Sequence, residues 1–133
     1  MQTYTIRQLS TITGIPASAL RYYEEIGLLT NVTREGQKRL YNDCHLNRLH
    51  AIQCFKNTGM PIAKMQDFFR YEENISCHID DIITLVTAHE ADIEAQIATL
   101  QKELAHIQHK VRFYNKIKEA ITEHGEWPKW EEV

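Results

Sequence analysis

The chain has 133 residues and a mass of 15.6 kDa, which suits one compact domain or a small domain with one long appended element. Apolar residues make up 43% and charged residues 25%, a globular balance rather than that of a disordered tail. No stretch approaches the roughly 20 apolar residues of a bilayer span, MQTYTIRQLS lacks the apolar core of a signal peptide, and three cysteines, an odd number, argue for reduced thiols; the expectation is a cytoplasmic protein without a membrane partner.

The net charge of −3 conceals an asymmetry. Residues 1–75 hold nine Lys/Arg against seven Asp/Glu, whereas residues 76–133 hold six against eleven. A basic first half keeps nucleic acid open as a partner, although solvated surface lysines and arginines alone would give the same count.

Along the chain, Thr5 and Gln8 have capping-box spacing, and Ile6, Leu9 and Ile12 follow at helical intervals until Gly14. Pro16 suits the first position of a second helix, ASALRYYEEI, which stops at Gly27. Two helices joined by a short Gly-containing turn form a helix-turn-helix pattern. Residues 28–41 read as a small hairpin around Glu35-Gly36, carrying Arg34, Lys38 and Arg39 near its tip, in the position of a wing.

A second helical pair follows. Asp43 is a reasonable N-cap for a helix with Leu46, Leu49, Ile52 and Phe55 every three residues, and Gly59 ends it. Pro61 opens the next, with Ile62, Met65, Phe68 and Phe69 on its apolar side. These apolar positions are expected to pack the core.

The third segment has the clearest period. Ile79, Val86, Ile93, Leu100, Ile107, Tyr114 and Ile121 stand seven residues apart, interleaved with Ile83, Glu90, Ile97, Leu104, Val111 and Lys118. Eleven of these thirteen positions are apolar, which defines a coiled-coil seam. A helix over 77–123 would extend about 70 Å. One small domain cannot bury such a stripe, so a homodimer is expected, with a long helix folded onto its own domain as the other solution. The fold class is thus mostly α: a winged helix-turn-helix head with an accessory helical pair in residues 1–75, a dimerisation helix in 76–123, and a short tail in 124–133.

In order along residues 4 to about 121, this chain closely resembles the MerR family of bacterial transcription regulators. The most specific matches are LRYYEEIGLL (20–29), Arg39 followed by Tyr41 in the wing, and KNTGMPI (56–62). The resemblance implies antiparallel pairing of the dimer helices. It also implies control of transcription by distortion of promoter DNA shared with RNA polymerase, so that deformation of the DNA carries the signal.

A recognition helix entering the major groove would present Ala17, Ser18, Arg21 and Tyr22, with Tyr23 either at DNA or in the core. Arg34, Lys38, Arg39 and Tyr41 would grip the backbone, adding affinity that falls with salt. Two heads on one dimer imply an inverted-repeat operator in double-stranded promoter DNA.

Sensor candidates are fewer. Cys54, in AIQCFKNTGM, resembles the subgroup associated with aldehyde and thiol-electrophile stress; His50 and Lys56 lie nearby, and positive neighbours favour a thiolate. The bland alternative is a half-buried cysteine acting as a small hydrophobe. Cys44 lies ten residues earlier, too far for a bridge along a helix. By the family resemblance, Cys77 would occupy the place of the thiol that metal-sensing members carry at the start of the dimer helix, but no cysteine follows it, leaving only His78, His106, His109 and His124 as further ligands. No cofactor or resident metal is implied. Trp127 and Trp130 flank Pro128 and could fold back over the dimer helix or a partner's head, or serve as a plain apolar anchor.

No P-loop, dinucleotide turn, HExxH or nucleophile elbow is present, so an enzyme is not expected, and Glu24-Glu25 and Asp80-Asp81 read as helix surface charge. A coiled-coil adaptor without DNA binding would explain the heptads but leave the basic wing idle.

Overall fold

The structure, a computed structural model, describes residues 2–133. Its elements are β1 (Thr3–Thr5), α1 (Ile6–Thr13), α2 (Ala17–Glu25), β2 (Thr33–Glu35), β3 (Lys38–Asn42), α3 (Asp43–Asn57), α4 (Ile62–Glu72), α5 (Ile75–Glu123) and a closing 3-10 turn (Trp130–Glu132). Two compact units are distinguishable, one running up to His89 and one over Glu90–Val133. The first continues past residue 75 because Leu85 packs against its core and His89 meets Phe55 edge-on at 5.9 Å.

The helix starts follow local chemistry. Thr5 caps α1: its hydroxyl accepts the Gln8 N–H at 3.2 Å while the Gln8 side chain accepts the Thr5 N–H at 2.9 Å. Pro16 stands just outside α2, as its N-cap, rather than at the first helical position. Asn42, not the expected Asp43, caps α3, accepting from the N–H groups of Cys44 and His45. Asp43 is instead occupied by the Tyr4 hydroxyl at 2.7 Å. This bond, more than burial, raises the Tyr4 pKa, because ionised Asp43 resists a neighbouring phenolate.

Helix ends repeat one device. After α2 the Leu28 N–H returns to the Tyr23 carbonyl, and after α3 the Met60 N–H returns to that of Phe55, both at 2.8 Å. The residues between are Gly27 and Gly59, at φ 81° and 84°, where a side chain would be strained. At the end of α5 the same closure, Gly125 N–H to Ala120 C=O, is made with His124 at φ 53°.

The expected hairpin is part of a three-stranded sheet of order β1-β3-β2. Thr3–Thr5 pairs antiparallel with β3, placing Tyr4 opposite Tyr41, and β2 pairs on the other side with Arg34 opposite Arg39. Both edge strands are three residues long, and β2 is wholly exposed with two charges, too short and too polar to recruit a foreign strand.

The core of the first unit is built from Leu9, Leu20, Leu28, Leu29, Tyr41, Leu49 and Ile52, all fully buried. Truncating one of these leucines to alanine would cost about 2–5 kcal/mol. Side chains of α3 and α4 hold the helix-turn-helix from behind. Gln53 donates to the Thr13 carbonyl and Gln66 to that of Ile26, both at 2.9 Å, while Arg48 reaches Leu28 O and Thr30 Oγ1.

Along α5, Ile79, Ile83, Val86, Ile97, Leu100, Leu104, Ile107, Val111, Tyr114 and Ile121 are all exposed, by 37% to 67%, and Ile93 is half-buried. His78, at φ −119°, breaks helical geometry near the start. In the second unit Trp130 folds onto its own helix: its ring lies 3.9 Å from His109 and 5.1 Å from Phe113, with Lys110 Nζ 5.2 Å over the indole. Trp127 stays 63% exposed.

Candidate nucleic-acid interface

Helix α2 divides its residues cleanly. Leu20 and Tyr23 face the core, whereas Ser18, Arg21 and Tyr22 are exposed on the opposite side and Ala17 is half-buried at the first turn. No side chain caps the N-terminus of α2. Its first N–H groups therefore remain available to an anion such as a DNA phosphate.

The wing stands beside this helix, and one carboxylate joins them. Glu24 Oε2 accepts from Arg39 Nε at 2.9 Å, and its Oε1 lies 3.4 Å from Arg34 Nη2. Arg34 is still 53% exposed and Arg39 25%, so both keep donors for a further anion. Lys38 is exposed at the turn. Exposed on one helix and one hairpin are thus Ser18, Arg21, Tyr22, Arg34 and Lys38, with Arg39 half-buried between them.

Two of the expected contacts are corrected. Tyr41 is 0% exposed and cannot reach a DNA backbone. It shares a strand face with Arg39, and that face turns inward toward α2 rather than outward. The Tyr41 hydroxyl is buried without a hydrogen-bond partner among the described residues. Burial above all, and then the negative charge of Glu24, raise its pKa. Tyr23, left open between DNA and core, is buried in the core with its ring 6.2 Å from that of Tyr22. Glu24 is the member of this cluster that sequence reasoning missed. Its adjacency to Glu25 suggested plain surface charge, and nothing local tells that two arginines ten and fifteen residues later return to it.

All three cysteines are free and exposed. Cys54 lies in the last turn of α3, where its carbonyl accepts the Thr58 hydroxyl at 2.7 Å; that hydroxyl oxygen also lies 2.7 Å from His89 Nε2. With its single hydrogen donated to Cys54, Thr58 accepts from His89. Cys77 Sγ receives the Asn74 side-chain amide at 3.1 Å, and His78 pairs with Asp81 at 3.1 Å. Among the described residues no three His, Cys, Asp or Glu side chains gather as a metal site would require. Among the described residues no helix is long and apolar enough to cross a membrane.

A turn-linked helix pair with an exposed second helix and a basic hairpin beside it defines a winged helix-turn-helix DNA-binding protein. This chain belongs to the MerR family: the model for MerR HTH family regulatory proteins matches residues 4–72, and that described as MerR, DNA binding, matches 46–110. It is 34% identical over 117 residues to an HTH-type transcriptional regulator of Haemophilus influenzae, an alignment covering 87% of each chain. Among solved structures it is similar to HiNmlR, a MerR family regulator lacking the sensor domain, crystallised on promoter DNA (31% identity, TM-score 0.82, covering 93% of this chain and 92% of that one). It is also similar to a MerR family regulator from Bacillus thuringiensis (32% identity, TM-score 0.74, covering 84% and 98%). The chain is accordingly a MerR-type DNA-binding transcriptional regulator, and its family is one of regulators rather than enzymes.

Proposed function

We propose that the protein is a homodimeric regulator that binds an inverted-repeat promoter operator and controls transcription by distorting that DNA in response to a thiol-reactive electrophile. The observation that carries the DNA-binding half is the exposed Ser18–Arg21–Tyr22 face standing beside Arg34 and Lys38. HiNmlR on promoter DNA supports a promoter as the target. The dimer rests on the apolar stripe of α5: ten seam residues at 37% exposure or more form a surface that water does not favour. Paired heads would read the two halves of a repeat, and the polymerase would meet the protein on the same promoter.

Cys54 is the signal site in this reading. Its exposure supplies access, and its carbonyl contact with Thr58, which in turn holds His89 of α5, supplies a route from thiol to dimer helix. Addition of the thiol across an aldehyde C=O forms an S–C bond and moves the thiol proton to oxygen, so no oxidant is needed.

The test is a footprint of the reduced protein on the DNA upstream of its own gene, repeated after an aldehyde. Binding in both states, with new central distortion only after treatment, is expected. A Cys54→Ala variant that still responds fully would remove the thiol signal, and absence of protected inverted repeats on selected DNA would remove the dimeric operator reading.

A further inference from the structure

The β2–β3 register sets Arg34 directly opposite Arg39. Like charges facing across a strand pair repel, and two long guanidinium side chains left to themselves would splay into solvent. One carboxylate reaches both: Glu24 gives one oxygen to each arginine. Arg21 lies one turn earlier on the same helix and is exposed. Two arginines of the wing therefore converge on a single acid of the recognition helix.

We propose that Glu24 is a positioning residue for DNA recognition, yoking the wing to the recognition helix so that phosphate-gripping and base-reading groups keep a fixed spacing. Glu24 occupies only one nitrogen of each guanidinium, and each arginine carries five N–H donors, so neither is consumed. The two side chains are ordered before DNA arrives, and that part of the ordering cost is absent from the binding step. The acid also cancels one positive charge of the cluster, which lowers attraction to any duplex alike. Glu24 thus favours discrimination over bare affinity.

The experiment compares wild-type protein with Glu24→Gln, which keeps the shape and removes the charge. Binding is followed by fluorescence anisotropy across a salt series. The probes are the duplex that the wild-type protein selects from a random-sequence pool, and poly(dI-dC). The expected result is a roughly tenfold fall in the ratio of the two affinities. The slope of log K against log salt on poly(dI-dC) should steepen by up to ~0.9 per head as one further phosphate is neutralised. Made in an Arg34→Gln background, the same substitution should have a smaller effect, because one of the two yoked partners is gone. An unchanged ratio would overturn the proposal. So would a variant weakened by the same factor on both DNAs, which reports a merely structural role, or equal effects in the two backgrounds.

Discussion

Replacing His45 by alanine should be among the most damaging single changes in the head. His45 is the third residue of α3 and only 5% exposed. Its Nδ1 accepts the Asn42 N–H at 3.0 Å, so the proton sits on Nε2, which donates to the Thr30 carbonyl at 2.6 Å. Its ring also meets Tyr41 edge-on at 5.6 Å. Alanine loses one arm of the capping box, about 1 kcal/mol. It strands the Thr30 carbonyl, about 1–3 kcal/mol, and removes an aromatic pair worth about 0.5–1.5 kcal/mol. The expected loss is about 3–5 kcal/mol, since terms sharing one side chain do not add fully. His45→Gln separates the terms, because glutamine is itself a capping-box residue but is not built to serve both partners at once. It should recover about 1 kcal/mol. Urea unfolding at fixed protomer concentration measures both variants. A loss under about 1 kcal/mol for His45→Ala, or no advantage of Gln over Ala, would refute the assignment of His45 as the pin between α3 and the loop after α2.

Tyr41→Phe should leave stability at neutral pH within about 1 kcal/mol of wild type, because the Glu24 carboxylate that the hydroxyl faces is already held by Arg34 and Arg39. The raised Tyr41 pKa means that its stabilisation is complete below the ordinary tyrosine value of about 10 and is lost as pH rises through the folded value; the variant should lose less stability in alkaline melts, with Tyr4 keeping its own share of that loss. Normal melting but weakened operator binding in Tyr41→Phe would contradict its burial. Leu104→Glu, in the middle of the exposed seam, should sediment as a protomer with a folded head, and a persisting dimer would argue for a different interface. Trp130→Ala should lower amide protection in the last turns of α5 around His109 and Phe113 while leaving the head unchanged, and equal exchange in both proteins would deny the tail its anchoring part.

Elements whose signals are local were legible in the residues. The Thr5/Gln8 box, Gly27 and Gly59 at helix ends, the apolar spacing of α3 and α4, and the heptads each act within a few residues, and each element formed where its spacing placed it. What escaped depends on partners far along the chain. β1 is three residues long, and its last residue, Thr5, is also the cap of α1, so a capping reading exhausts the segment unless its partner β3 is known. Asp43 looked like a cap because its competing partner, Tyr4, is 39 residues away. The wing shows the same limit most sharply. Strand alternation correctly puts Arg39 and Tyr41 on one face, but only the packing of that face toward α2 decides that Tyr41 is core and that Arg39 meets Glu24. Periodicity tells which residues travel together, and tertiary contact tells which way they look.

The sheet order has a consequence for synthesis. Thr3–Thr5 is synthesised well before its partner strand, which ends at Asn42. At ~5–20 residues per second the first strand waits roughly 2–8 seconds for its partner. During that interval α1, whose cap joins Thr5 and Gln8 only three residues apart, can form on its own local terms, while the sheet cannot. The wing is therefore finished only when β1 pairs with β3, and the hairpin becomes rigid late in the birth of the head.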